Sequence, residues 1–356
     1  MKKKIVLFIP SIEGGGVEKN LFLISEYLSK NYKNIYIVTA DRKFKSFFNK
    51  KISVICPKSN QWESKSRFKK TIIAILLLIN NFMNKEIVLI SFQSNTFVIL
   101  ISKIFGYKIL IRLNTSIKKY INTYFKKIFF KFFYNFADEI IVNSKSFKKE
   151  IKKYLNLNSI LIYNLNKSNK KKNKLKFFER FKGLKILNIG RLTDQKDQIV
   201  LLKSLKLLLK KKIKFRCCII GDGIKKKSLN AYIESENLDK HIKLLGYKKN
   251  AESYLNSCDL FVLTSKFEGL PNVLIEAQNN NIPIISTDCP TGPREILING
   301  KLGDLFKVGD YKKLFNKLLN FNENKKMLIN KSKKAKNYIK RFESNLNGKK
   351  YNSLIS

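Results

Sequence analysis

A single histidine, His241, and five cysteines in 356 residues leave little material for a metal centre or a disulfide framework. Cys56, Cys217, Cys218, Cys258 and Cys289 are odd in number, show no Cys-x-x-Cys spacing and fall mostly on apolar, strand-like segments. Neither a Cys/His metal site nor a stapled scaffold is expected. Long apolar runs are also missing. The longest candidate, residues 71–79, ends at Asn80 and Asn81, too soon to span a bilayer. The start Met1-Lys2-Lys3-Lys4 leads into a short strand-like run, so no signal peptide and a cytoplasmic location are expected.

Arginine is scarce as well. The formal net charge is +46, yet only eight of the 72 basic residues are arginine. Readers of bases and phosphates usually lean on arginine's bidentate fork, so a nucleic-acid partner is not expected. The accompanying wealth of Lys, Asn, Ile and Phe is what AT-biased coding would write. The rest of the excess points to an anionic membrane surface.

What is present is alternation. Short β-rich runs at 4–10, 34–40, 52–56, 86–92, 108–113, 139–143 and 159–163 are mostly separated by helical stretches. The pattern returns at 184–189, 215–220, 242–245, 260–264 and 283–287, with helices at 195–210, 224–235, 272–280, 310–319 and 324–339. Such alternation implies α/β architecture with parallel sheets covered on both faces. The lysine- and asparagine-rich stretch 167–182 reads as a linker between a domain at 1–166 and one at 183–340.

The most informative segment is Ser265-Lys266-Phe267-Glu268-Gly269-Leu270-Pro271-Asn272-Val273-Leu274-Ile275-Glu276-Ala277. It follows a buried-strand run; Gly269 allows a tight turn, and Pro271 suits a helix's first position, where its missing N–H costs nothing. A helix N-terminus at the carboxyl edge of a sheet favours anions. Two carboxylates, Glu268 and Glu276, flank it, and carboxylates accept hydrogen bonds from sugar hydroxyls well. A phosphate carrying sugars fits that mixture.

The Glu-x7-Glu spacing within Phe-Glu-Gly-Leu-Pro-Asn resembles the donor-site motif of retaining, nucleotide-sugar-dependent family 4 glycosyltransferases. The resemblance spans nearly the whole chain and is dense from Leu184 to Gly303. It implies the GT-B plan, two Rossmann-like domains facing across a cleft, with residues 341–356 crossing back onto the N-terminal domain. Gly190-Arg191-Leu192-Thr193-Asp194-Gln195-Lys196 matches the family's second motif. It implies that Arg191 and Lys196 hold the donor diphosphate beside Gly190, stabilising the leaving group without a metal. No Asp-x-Asp occurs, so no metal and no other cofactor is expected.

By the same resemblance Glu276 would hold ribose hydroxyls, Glu268 the sugar, and the backbone of Gly269, Leu270, Pro271 and Asn272 would line sugar and phosphate. Gly14-Gly15-Gly16, after the first strand, is not a Walker loop; relatives place it opposite the diphosphate, which implicates Gly15 and Gly16. Gly221-Asp222-Gly223 and Gly246-Tyr247 end strands and would shape the nucleotide pocket. The turn Asp288 to Leu297 resembles members acting on lipid- or polysaccharide-linked sugars. Two positions depart from the pattern. Asn114 replaces a histidine that meets the donor sugar, so no titrating group stands there. Leu165 follows Asn164 where proline is usual, which bears on linker geometry.

The expected activity is transfer of a sugar from a nucleoside diphosphate, with UDP the expected nucleotide, to a membrane-presented glycan or lipid-linked acceptor in cell-surface polysaccharide synthesis. A non-enzymatic binder of nucleic acid or anionic surfaces, and a GT-B epimerase or inverting transferase, are the alternatives. Residues 118–136 carry aromatic and aliphatic side chains at helical spacing, interspersed with Lys118, Lys119, Lys126, Lys127 and Lys131. A basic aromatic helix of this kind suits an anionic membrane interface, with peripheral attachment at the inner face expected; the alternative is a helix packed on the N-terminal sheet with a lysine-rich outer face.

Overall fold

The computed structural model describes residues 3–13, 15–166 and 173–356, which form two compact units: Met1–Leu165 with Phe342–Ser356, and Asn166–Arg341. In the first unit the apolar runs become β1 (Lys4–Phe8), β2 (Ile35–Val38), β3 (Ile52–Ile55), β4 (Ile87–Ser91), β5 (Lys108–Leu113), β6 (Glu139–Val142) and β7 (Ile160–Leu161). They make one seven-stranded sheet in the order β3-β2-β1-β4-β5-β6-β7 with every pairing parallel.

Parallel neighbours require crossovers, and the pleat sends alternate residues to opposite faces. Ile5 and Leu7 pack under the helix Gly16–Asn31, whereas Val6 and Phe8 pack under Arg67–Phe82 and Asn95–Ile104. The C-terminal helix Ser344–Ile355 shares the first face: Tyr351 and Ile355 are fully buried there. A Cβ on Gly348 would lie 2.4 Å from the Tyr27 ring, so only glycine permits this seating. Tyr351 also receives a hydrogen bond from the fully buried Arg112, which donates to Asn164 Oδ1 (2.7 Å) too. Asn164 therefore does more than shape the chain's exit from the sheet: it satisfies a buried guanidinium.

The second unit holds β8 (Leu184–Ile189), β9 (Phe215–Ile220), β10 (Ile242–Leu244), β11 (Leu260–Leu263), β12 (Ile284–Thr287) and β13 (Asp304–Phe306). Their order is β10-β9-β8-β11-β12-β13, again all parallel. Each unit is thus a Rossmann-like α/β layer structure. Among the described residues no helix is long and apolar enough to cross a membrane.

Four expectations change. β13 has no counterpart in the sequence reading, because three residues at a sheet edge carry too little apolar periodicity. The helix expected from Gln195 begins at Gln198, since Asp197 takes φ +49° and the chain turns first. The helix read over 118–136 is broken: a short 3-10 turn covers Ile117–Lys119, and the α-helix spans Tyr124–Asn135, N-capped by Thr123. Of the presumed linker, residues 167–172 lie outside the described residues. Residues 173–182 pack on the second unit, burying Leu175 and Phe178 and stacking Phe177 and Phe181 on Arg216.

Candidate active site

The strand order of the second unit reverses between β8 and β11. Two loops leave the carboxyl ends of these neighbours in opposite directions, which is where open α/β sheets bind ligands. The Gly190–Lys196 loop follows β8, and the Ser265–Pro271 loop follows β11. They are laced together. Lys266 N–H donates to Gln195 O (2.8 Å), Gln195 Nε2 to Phe267 O (3.0 Å), and Thr264 Oγ1 to Lys196 O (2.8 Å).

The ties bring Lys196 and Glu268 into contact. Lys196 Nζ lies 2.6 Å from Glu268 Oε1, with the two side chains 16% and 8% exposed. Ser265 Oγ donates to the same oxygen at 2.5 Å. The stem of Lys196 runs over Gly190, where an added Cβ would lie 3.3 Å from its Cδ. Buried Cys289 reports the carboxylate: burial and the charge of Glu268 push its thiol up to about 12. An ammonium and a carboxylate of low exposure therefore face each other at the switch point, one suited to phosphate oxygens and the other to hydroxyls.

A third loop, after β12, fixes the backbone of the second. Thr291 adopts φ +70°, costly for a β-branched residue. Its hydroxyl donates to Glu268 O and, at 3.4 Å, to Gly269 O. In a trans peptide the N–H points opposite to the C=O, so the N–H groups of Gly269 and Leu270 are turned away from Thr291. Gly292 (φ +38°) completes the contact: a Cβ there would sit 2.1 Å from Gly269 O. Thr287 Oγ1 donates to Ser265 O at 2.7 Å, tying the same loop to β12.

Pro271 is the N-cap (φ −69°, ψ 106°), not the first helical residue; the helix Asn272–Asn279 starts after it. The fixed φ of proline suits either position, and its carbonyl accepts from Leu274 N–H. Leu270, Pro271 and Glu276 are buried, while Asn272 and Gly269 are half-buried. Arg191 stands exposed at the start of its loop. Gly221 and Gly223 are packing positions: a Cβ on either would strike Gly190 O (1.9 Å) or Leu192 O (2.4 Å). They hold the β8 loop in place. His241 lies half-buried with Nδ1 3.4 Å from Phe215 O, and Tyr247 is exposed.

Other residues singled out from sequence belong to the first unit. Gly14 lies outside the described residues. Gly15 caps the helix Gly16–Asn31 in extended geometry. Two N–H groups of this loop are taken by the chain's own carboxylates, Ile12 by Asp41 Oδ2 (2.7 Å) and Glu13 by Glu18 Oε1 (3.2 Å). Asn114 follows β5; its Oδ1 accepts from Arg112 Nε (3.2 Å) and its Nδ2 donates to Phe92 O (3.2 Å). Sequence reasoning missed Ser265, Gln195 and Thr291. Only Ser265, three residues before Glu268, carried a local signal. Among the described residues no three His, Cys, Asp or Glu side chains gather into a metal-binding group.

Residues 167–342 match the family model described as glycosyl transferases group 1. An uncharacterized glycosyltransferase of Methanocaldococcus jannaschii is 38% identical over 218 residues, 56% of this chain and 54% of that protein. The match thus spans about half of that relative's length. The Campylobacter jejuni N-acetylgalactosamine-N,N'-diacetylbacillosaminyl-diphospho-undecaprenol 4-alpha-N-acetylgalactosaminyltransferase is 25% identical over 96% of each chain. Among solved structures, Anabaena HepE in complex with UDP and glucose superposes with TM-score 0.81 at 17% identity, covering 99% of this chain and 98% of that one. At that identity the likeness shows the fold, which is the GT-B fold expected from the sequence.

Proposed function

We propose that this chain is a retaining family 4 glycosyltransferase that moves a sugar from a UDP-sugar to a lipid-linked or glycan acceptor in cell-surface polysaccharide synthesis. The observation that carries the reading is the Lys196–Glu268 pair at the switch point of the second sheet. In this reading Lys196 and Arg191 take the diphosphate, Glu268 the sugar hydroxyls and Glu276 the ribose. Cleavage of the bond from anomeric carbon to phosphate oxygen leaves charge on the diphosphate, which the two cations stabilise without a metal. The acceptor oxygen bonds to the same face of that carbon, and its proton passes to the leaving phosphate. The held N–H group of Gly269 fits the growing negative charge.

Two comparisons support the finer terms. HepE is a UDP and UDP-glucose binder by the complexes solved, and the C. jejuni enzyme acts on a diphospho-undecaprenol carrier. A lipid-linked acceptor places the protein peripherally at the inner membrane face, where its cationic surface finds anionic lipid. The deciding experiment is a thermal-shift screen of nucleotide sugars, since a ligand of the folded state alone raises Tm. A UDP-sugar that raises Tm, followed by α-anomeric product from an α-configured donor, is the expected result. Stabilisation by no nucleotide sugar, or an inverted product, overturns the reading.

A further inference from the structure

Three helices cover one face of the first unit's sheet: Arg67–Phe82, Asn95–Ile104 and Tyr124–Asn135. Each buries an apolar stripe against the sheet, as a surface helix should. Each also carries a second apolar stripe that points outward. On the first helix it is Phe68, Ile72 and Leu76, spaced one turn apart, with Phe68 62% exposed. On the second it is Phe97, Leu100 and Ile104, the last 71% exposed. On the third it is Phe125, Ile128, Phe129 and Phe132, with Phe125 83% exposed.

The stripes adjoin. Phe68 and Phe97 have ring centroids 6.4 Å apart, and Thr71 and Ser94 hydroxyls bond at 2.9 Å between the first two helices. The second helix packs against the third. Three outward stripes on neighbouring helices expose more apolar side chain than isolated surface leucines account for. The charges borne by the helices themselves have one sign. None of the three helices contains Asp or Glu; Arg67 is paired with Glu13 (2.6 Å), and Lys69, Lys126, Lys127 and Lys131 stand exposed on the helices. A second copy of the same face would meet like charge.

We infer that these three helices together form a membrane-seating face whose occupant is an anionic lipid bilayer, with the outward stripes in the headgroup and acyl boundary and the cations at the phosphates. The inference rests on the peripheral location proposed above and enlarges it from one helix to a three-helix surface. The three helices begin at the carboxyl edge of the sheet, the same edge that carries Asn114. A bilayer on this face delivers a lipid-linked acceptor beside that edge.

The test is co-sedimentation of the full chain with phosphatidylcholine vesicles, with and without phosphatidylglycerol, at low and high salt. The decisive variant is Ile72→Glu with Leu76→Glu on the first helix, both exposed and outside the proposed chemistry. Anionic vesicles are expected to bind the parent, and the variant's apparent affinity is expected to fall at least tenfold with unchanged Tm and unchanged UDP-sugar hydrolysis. Lys126→Gln with Lys127→Gln should remove mainly the salt-sensitive part. A variant that binds as the parent does removes the first helix from the face. A parent that ignores vesicles but forms dimers, broken by the same variant, makes this a protein interface and overturns the proposal. Hydrolysis, read without vesicles, reports separately on the glycosyltransferase reading.

Discussion

Replacing Lys196 with methionine separates two roles of one side chain. In the ligand-free protein its ammonium lies 2.6 Å from Glu268 Oε1 in a pair of low exposure. Methionine keeps most of the stem that crosses Gly190 and removes the charge. Stripping one partner from a buried pair costs about 3–5 kcal/mol. Residual solvent and the Ser265 hydroxyl still serve Glu268, so a cost of about 2 kcal/mol is expected. For a unit of this size that lowers Tm by about 4–8 °C. If Lys196 also grips the diphosphate, losing a charge-assisted hydrogen bond worth about 1.5–3 kcal/mol weakens UDP about 10- to 150-fold. Glu268→Gln is the opposing perturbation. It removes the anion that holds Lys196, so UDP should bind as well as before or more tightly, while sugar transfer falls sharply. Isothermal titration calorimetry with UDP, beside scanning calorimetry, reads both effects. A Lys196→Met protein that melts lower yet binds UDP as the parent does refutes the phosphate role. So does a Glu268→Gln protein that has lost UDP.

Glu276→Ala should weaken UDP by about 1.5–3 kcal/mol if ribose hydroxyls meet this carboxylate; unchanged affinity by calorimetry removes the assignment. Turnover should persist in EDTA if Arg191 and Lys196 stabilise the leaving diphosphate; loss on chelation that Mn²⁺ restores contradicts this. Thr291→Val keeps the branched shape but drops the hydroxyl that pins two carbonyls, and kcat should fall about tenfold with little change in Tm. Thr291→Ser should recover it, and a Thr291→Val enzyme with parental kcat shows the clamp is only structural. Native protein treated with a thiol reagent at neutral pH should label Cys56 at most. Cys217, Cys218, Cys258 and Cys289 are buried, and burial holds each thiol protonated. Rapid labelling of a second thiol would show that the sheet opens.

Much of this protein is decided locally. The runs that became β8 and β9 were legible to the residue, because a buried parallel strand is a short unbroken apolar segment bounded by glycine or charge. Glu268, Glu276 and Lys196 stood out for the same kind of reason, a motif compact enough to be seen in one stretch. What local sequence does not carry is contact across distance. Lys196 and Glu268 are separated by 72 positions, and only the neighbouring of β8 and β11 puts the ammonium on the carboxylate. Thr291 looks like an ordinary turn residue until the β12 loop folds over Glu268 and Gly269. Arg112 reads as a strand cation, yet the C-terminal helix and Asn164 bury it completely. The basic aromatic segment shows the same limit. Its composition gave an amphipathic helix, but a break before Tyr124 and the outward stripes of two neighbouring helices turn one helix into a surface. Periodicity is a property of adjacent residues and survives in the sequence. Which loops meet, and which apolar faces remain uncovered, depends on how a sheet orders its strands.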